Sequence, residues 1–302
     1  MQYTQHRVDN LLMINTLPVS RIHPLLSLPV LLLLLCTLFS CSAHGHAGVD
    51  DEIQRLTLQI RQDPANPQLY LQRGDLYRIH RDWNQALADF RKAQQLDATA
   101  AAAEIGLGRT RLEQGSPQQA LAHLNRALAR QPGNVRALVT RAKAWRTLGK
   151  PLAAAVDYSR AIEHFPAPGK PLPEYYLERA RAYVAAGDAH IDEALRSLDE
   201  GMQVLGNIQT LALYGVELET GRGNFDAALM RLDPLIARAN RKEFLLLERG
   251  DILLAAQRTE EARQAFLAAQ VAVAALPPRH RQTRSVQQLE TTLSARLQLA
   301  ER

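Results

Sequence analysis

The side chains in this sequence able to act on a bond, hold a metal or grip an anion are two cysteines, nine histidines and a large set of arginines. Cys36 and Cys41 both belong to a leucine-rich N-terminal stretch. The body beyond it therefore has no thiol nucleophile, no disulfide and no cysteine zinc cluster. His44 and His46 stand close to Cys41, but two histidines without a rigid frame are a weak ligand set, and that stretch reads as a flexible tether. His80, His123, His164 and His190 fall near helix ends or turns, far apart along the chain. No glycine-rich phosphate loop, His-Glu-x-x-His or Gly-x-Ser-x-Gly occurs, and no carboxylate pair stands in an apolar setting that would split its acidities. The chain is read as a non-enzyme, with no cofactor, metal or small-molecule substrate. Its remaining chemistry is arginine, with lysine only at 92, 143, 150, 170 and 242. The net charge is +5 without a long run of like charge, so a nucleic-acid partner is not expected.

The elements that position those arginines come from a period. Gly74, Tyr77, Ala86, Phe90 and Ala93 recur 34 residues on as Gly108, Arg111, Ala120, Leu124 and Ala127, and again as Ala142, Trp145, Ala154, Tyr158 and Ala161. Each unit closes on Ala98, Pro132 or Pro166. Fixed self-similarity of this length marks a helical array. The pattern resembles the tetratricopeptide repeat, and the resemblance implies an all-α, right-handed superhelical solenoid of helix–turn–helix units whose role is to hold a protein segment.

Laid out by that period, residues 50–166 hold a leading half-repeat and units 1–3, residues 167–172 a proline-rich loop, residues 173–278 units 4–6, and residues 279–302 a capping helix. Asn66-Pro67 opens the first full unit as a cap followed by a first-turn proline. The four prolines and Gly169 between Phe165 and Pro173 exclude helix there, and the loop reads as a joint between two sub-arrays in preference to a binding loop. Unit 5 is the most degenerate. Val216 and Leu235 replace small residues, and Pro234 inside its second helix predicts a kinked or shortened element. Val286, Leu289, Leu293 and Leu297 form one apolar stripe, which suits a terminal cap with a wet outer side.

Within the repeat family the first helix of each unit lines the concave face. Carried over position by position, the resemblance places Arg109, Arg136, Lys143, Arg146 and Arg181 on one wall, among aliphatic residues. Such a wall suits an acidic or C-terminal peptide segment, gripped by guanidinium–carboxylate pairs. The asparagines that accompany lysines in the family's strict carboxylate clamps are absent. The competing reading is that these cations are ordinary surface charges pairing with Glu104, Glu113 and Glu178. A second series, Arg73, Arg141, Arg179 and Arg249, stands just before the small residue of each first helix. With Asp89 and Asp157 before the second-helix aromatics, it predicts contacts joining the two helices of one unit.

Leu25 to Phe39 is apolar, short of the roughly 20 residues of a comfortable span, preceded by Arg7 and Arg21 and followed by small residues. That is the layout of an export signal. Leu38-Phe39-Ser40-Cys41 resembles a bacterial lipobox, which implies a signal over 1–40, lipidation of Cys41 and a tether over 41–49. Ser42 then favours the outer membrane, facing the periplasm. Cleavage after Ala43 or Ala47, giving a soluble periplasmic protein, and an uncleaved anchor are the alternatives, and Met13 is a second candidate start. The expected role is a protein-binding scaffold of the cell envelope, membrane-attached through Cys41. The alternative is a structural subunit that self-associates or packs through its convex face.

Overall fold

Two apolar stripes per period, each at helical spacing and separated by a turn signal, fold here as successive antiparallel helix pairs. The computed structural model describes residues 47–97, 99 and 101–300. The signal stretch, Cys41 and most of the tether lie outside the described residues. The chain divides into two units, Met1–Gln54 and Arg55–Arg302. Of the first, the described part is the start of helix α1 (Ala47–Gln62); every helix pair belongs to the second.

The pairs run in order: α2 (Pro67–Ile79) with α3 (Trp83–Leu96), α4 (Ala101–Glu113) with α5 (Pro117–Arg130), and α6 (Val135–Thr147) with α7 (Pro151–Glu163). After the joint come α8 (Pro173–Ala185) with α9 (Ile191–Leu205), α10 (Gln209–Gly221) with α11 (Phe225–Arg238), and α12 (Glu243–Ala255) with α13 (Thr259–Ala274). A short α14 (Pro278–Arg281) leads into the cap α15 (Arg284–Ala300), which packs on α13. Among the described residues there is no strand, and each second helix also packs on the first helix of the next unit. This is the solenoid that the period predicts.

The recurring small and large positions meet inside each pair. A Cβ built on Gly74 would stand 2.9 Å from a Phe90 ring carbon, and one on Gly106, from the next unit, 2.5 Å from the same ring. Phe90 is thus clasped by glycines of two successive first helices. In units 3 and 4 the partners are Tyr158 and Leu198, and fully buried Ala142 and Ala180 fit against them. Caps and turns obey local chemistry. Asn66 and Asn134 accept backbone hydrogen bonds from Gln68 and Ala137, and prolines occupy the first turns of α2, α5, α7 and α8. Each within-unit turn needs one residue of positive φ: Arg81, Gly115, Gly149, Gly187, Gly223 and Gln257.

Pro234 does not shorten its helix. α11 runs 14 residues, the length of α3 and α5. Pro234 sits on its exposed side, where water can serve the carbonyl that loses a donor. The proline-rich joint is tied down. Lys170 Nζ donates to the Val204 carbonyl in the last turn of α9 at 2.7 Å, and Phe165 lies 6.3 Å from Tyr175, ring to ring.

The arginine series does more than join two helices. Arg73 grips Asp89 with two hydrogen bonds of 2.8 Å and also donates to Thr57 of the preceding helix. Arg141 repeats this on Asp157 and Asn125 at 2.7 to 2.8 Å. Arg179 reaches Ser197 and Glu200 in its own unit and Ser159 in the one before. Each therefore staples two repeats. Arg249 departs from the expected intra-repeat contact. Ala265 stands where its own unit should offer an acid, and the guanidinium turns back to Asp233 of the preceding unit at 3.0 Å. Unit 5 inverts the arrangement. Gly215 occupies the arginine position, and Arg231 comes from the second helix to bind Asp199 and approach Glu219. Unit 2 has Leu107 and His123 at the two places, and the charge moves one turn back to Glu104. That side chain is 1% exposed and takes Gln94, His123 and Arg126.

Candidate interaction groove

The first helices of units 1–3 bring their inner faces together around a groove of about 310 Å³. Its floor is apolar: Leu71 from α2, Phe90 from α3, and Ala101, Ala102, Ile105 and Gly106 from α4. Gly106 contributes only backbone there, because the Phe90 ring fills the space its side chain would take. Four amides, Gln68, Gln72, Gln131 and Asn134, line the walls; Asn134 is spent on its cap and on Gln131, and Gln68 and Gln72 can serve an extended backbone with both donors and acceptors. Asp75, Arg109 and Arg136 supply the charge.

Arg109 is half-buried, its Nη1 3.3 Å from Asp75 Oδ1. Desolvation, and next the neighbouring Arg78 guanidinium, push it below the usual arginine value. Asp75 is shared, since Arg78 also binds it at 3.2 Å and reaches Glu113 at 2.8 Å. Arg136 is exposed at the rim with no acidic partner among the described residues. An under-compensated guanidinium over an apolar floor is suited to an incoming carboxylate, whose charge relieves the cation–cation repulsion.

Lys143, Arg146 and Arg181 are in a different environment. A second hollow, about 450 Å³, is lined by Lys143, Arg146, Thr147, Glu174 and Glu178. Lys143 Nζ lies 3.4 Å from Glu174, Arg181 donates to Glu178 at 2.8 Å, and Arg146 also contacts Glu178. Arg181 further covers the Tyr214 ring at 5.8 Å. The five cations are thus separated: Arg109 and Arg136 line one hollow, Lys143 and Arg146 line the other, and Arg181 pairs with Glu178 on its own helix. Tyr158 is fully buried and burial pushes its hydroxyl up to about 12, so it stays neutral.

Glu178 holds Arg146 and Arg181 as the competing reading supposed, whereas Glu113 takes Arg78 and Glu104 serves Arg126 and His123 away from the groove lining. Of the wall amides, Gln72, Gln131 and Asn134 escaped sequence reasoning, and Gln131 and Asn134 belong to a turn that no helical register would assign to a groove. Among the described residues no three metal-binding side chains converge, and no helix is long and apolar enough to cross a membrane.

The family profile of the tetratricopeptide repeat matches residues 105–171 and 218–277, so the chain carries such repeats. No curated protein matches it in sequence. Among solved structures it is similar to PilW, titled a widely conserved type IV pilus biogenesis factor, at 20% identity and a TM-score of 0.52, over 63% of this chain and 86% of that one. It also resembles PilF of Pseudomonas aeruginosa at 18% identity, TM-score 0.49, over 76% and 98%. A tetratricopeptide repeat protein of Parabacteroides merdae is similar at 19%, TM-score 0.47, over 84% and 93%. At such identities the likeness is one of fold.

Proposed function

We propose that this protein is a non-enzymatic scaffold of the bacterial cell envelope that holds an extended protein segment in the groove between α2, α4 and α6. The observation that carries this reading is the combination of an apolar floor, four wall amides and an Arg109–Arg136 pair, with Asp75 as the only acid among the described residues that line the groove. The segment that fits has an apolar side chain over Leu71 and Ile105 and a carboxylate facing the two guanidinium groups. The backbone amides between them would hydrogen-bond to Gln68 and Gln72. The envelope setting rests on the apolar stretch, the small residues after it and Cys41 in its lipobox-like frame.

The test is cross-linking capture from intact envelopes. Arg109→Glu with Arg136→Glu removes the partner at least tenfold, while Lys143→Glu with Arg181→Glu, which disturbs the already paired hollow, removes much less. Equal capture by all three proteins would sink the groove assignment. The anchor is checked separately by metabolic palmitate labelling, which Cys41→Ser abolishes. Persistent labelling without that cysteine would count against lipidation there.

A further inference from the structure

The two ends of the stacked helices differ in charge. Because the helices alternate in direction, every turn between units falls on one edge of the stack and every turn within a unit on the other. On the within-unit edge the cations have partners. Arg222 binds Asp192 at 2.6 Å, Arg258 holds Asp226 and Glu261, and Lys150 covers the Trp145 ring, with Arg81 as the exception.

On the between-unit edge the pattern breaks, most clearly at the last two turns. Arg238 and Lys242 flank the turn from α11 to α12, and Arg279, Arg281 and Arg284 follow α13. All five are exposed, and none has an acidic partner within ion-pair distance among the described residues. The nearby acids are engaged elsewhere: Glu243 is 1% exposed and bound by Arg241, and Asp233 holds Arg249. Glu290 shares a shallow hollow with Arg281 but makes no ion pair with it. Packed helices stand about 10 Å apart, so the ends of α11, α12, α13 and α15 spread these cations over roughly 30 Å. Apolar side chains stand at the same edge. Phe244, in the first turn of α12, is 45% exposed, and Val271, in the last turn of α13, is 70% exposed.

We propose that this edge docks on anionic lipid headgroups and lays the repeat stack edge-on against a membrane surface. Unpaired cations interleaved with exposed apolar side chains match an interfacial layer, which offers phosphate and acyl chain together. A nucleic-acid duplex would use the cations and leave Phe244 and Val271 without a partner. The inference rests on the envelope reading only for the source of the membrane, and defined vesicles test the edge by itself.

The full chain, with Cys36→Ser and Cys41→Ser so that an added label is unique, carries a fluorophore at Gln282→Cys on the basic edge or at Thr259→Cys at the other end of α13. It is mixed with vesicles of phosphatidylglycerol and phosphatidylcholine, or of phosphatidylcholine alone, bearing a headgroup quencher. The Gln282→Cys label is quenched on anionic vesicles only, and high salt relieves it, while the Thr259→Cys label stays bright. Lys242→Glu, Arg279→Glu, Arg281→Glu and Arg284→Glu together abolish the quenching with the helix content unchanged, at about fivefold in affinity for each cation neutralised. Equal quenching at the two positions, indifference to lipid charge, or no attachment to anionic vesicles would each overturn the proposal. Binding of duplex DNA as tightly as vesicles at equal phosphate overturns the assignment to lipid. Groove capture of a segment is read independently of all these outcomes.

Discussion

Replacing Arg141 by alanine separates a structural staple from a surface charge. Its guanidinium makes two parallel bonds of 2.7 Å to Asp157, whose side chain is 3% exposed, and a third of 2.8 Å to Asn125 of the preceding unit. Removing one member of a buried pair costs about 3–5 kcal/mol, because the other charge stays out of water without a counter-charge. Arg141 is itself 17% exposed, so water can reach part of the space it leaves, and the lower end of that range, about 3 kcal/mol, is expected. Lysine at 141 recovers little of this, since a single ammonium cannot reproduce the two-pronged contact. Arg141→Leu with Asp157→Leu recovers most of it, because no buried charge then remains. The assay is urea unfolding followed by circular dichroism, with amide exchange resolved by helix, since a repeat array need not unfold in one step. Exchange should rise first in α5, α6 and α7, the helices the staple joins. A loss under about 1 kcal/mol, the range of exposed pairs, would refute the reasoning, as would a double variant no more stable than Arg141→Ala.

Local geometry sets three further outcomes. Arg81 and Gln257 hold φ of 60° at turn positions where other units have glycine, so Arg81→Gly and Gln257→Gly should each raise stability by roughly 0.5–1 kcal/mol in the same unfolding assay. In unit 5, Gly215→Arg alone sets a second guanidinium against Arg231 and should destabilise the array, whereas adding Arg231→Asp restores the polarity of the other units and recovers stability. Acid should loosen the junction of units 1 and 2. Burial lowers the His123 value; desolvation acts to raise that of Glu104, but hydrogen bonds from Arg126 and His123 outweigh it and the net shift is downward. Both folded values lie below the unfolded ones, so each contribution is present above the unfolded value and lost as pH falls through the folded one. The His123 part goes first, below about 6.5, and the Glu104 part below about 4.3. Stability measured against pH should show the first step disappear in His123→Gln.

The helices, the order of the pairs, the cap at Asn66 and the fit of Gly74 on Phe90 were all legible in the sequence. They depend on spacing within one unit, and spacing is what a linear chain displays. The terminal stripe of Val286, Leu289 and Leu293 was legible for the same reason. Of the two outcomes expected of Pro234, a kinked or a shortened helix, shortening did not occur, because the cost of a missing donor depends on which side of the helix faces water, and only packing decides that. The groove was half legible. The family resemblance put Arg109 and Arg136 on an inner face, while Gln131 and Asn134 enter it from a turn, Glu174 and Glu178 answer Lys143 and Arg146 from the next unit, and Glu178 also takes Arg181 of its own helix. Ion pairs form across interfaces within about 3–4 Å, and the partner is whichever side chain the neighbouring repeat presents there. That is why Arg249 turns back to Asp233, and why the inverted Gly215–Arg231 pair fills the place that an arginine of the first helix fills elsewhere. The period determined that repeats stack, and the tertiary structure decided which charges are consumed in holding them together and which stay free to meet a partner.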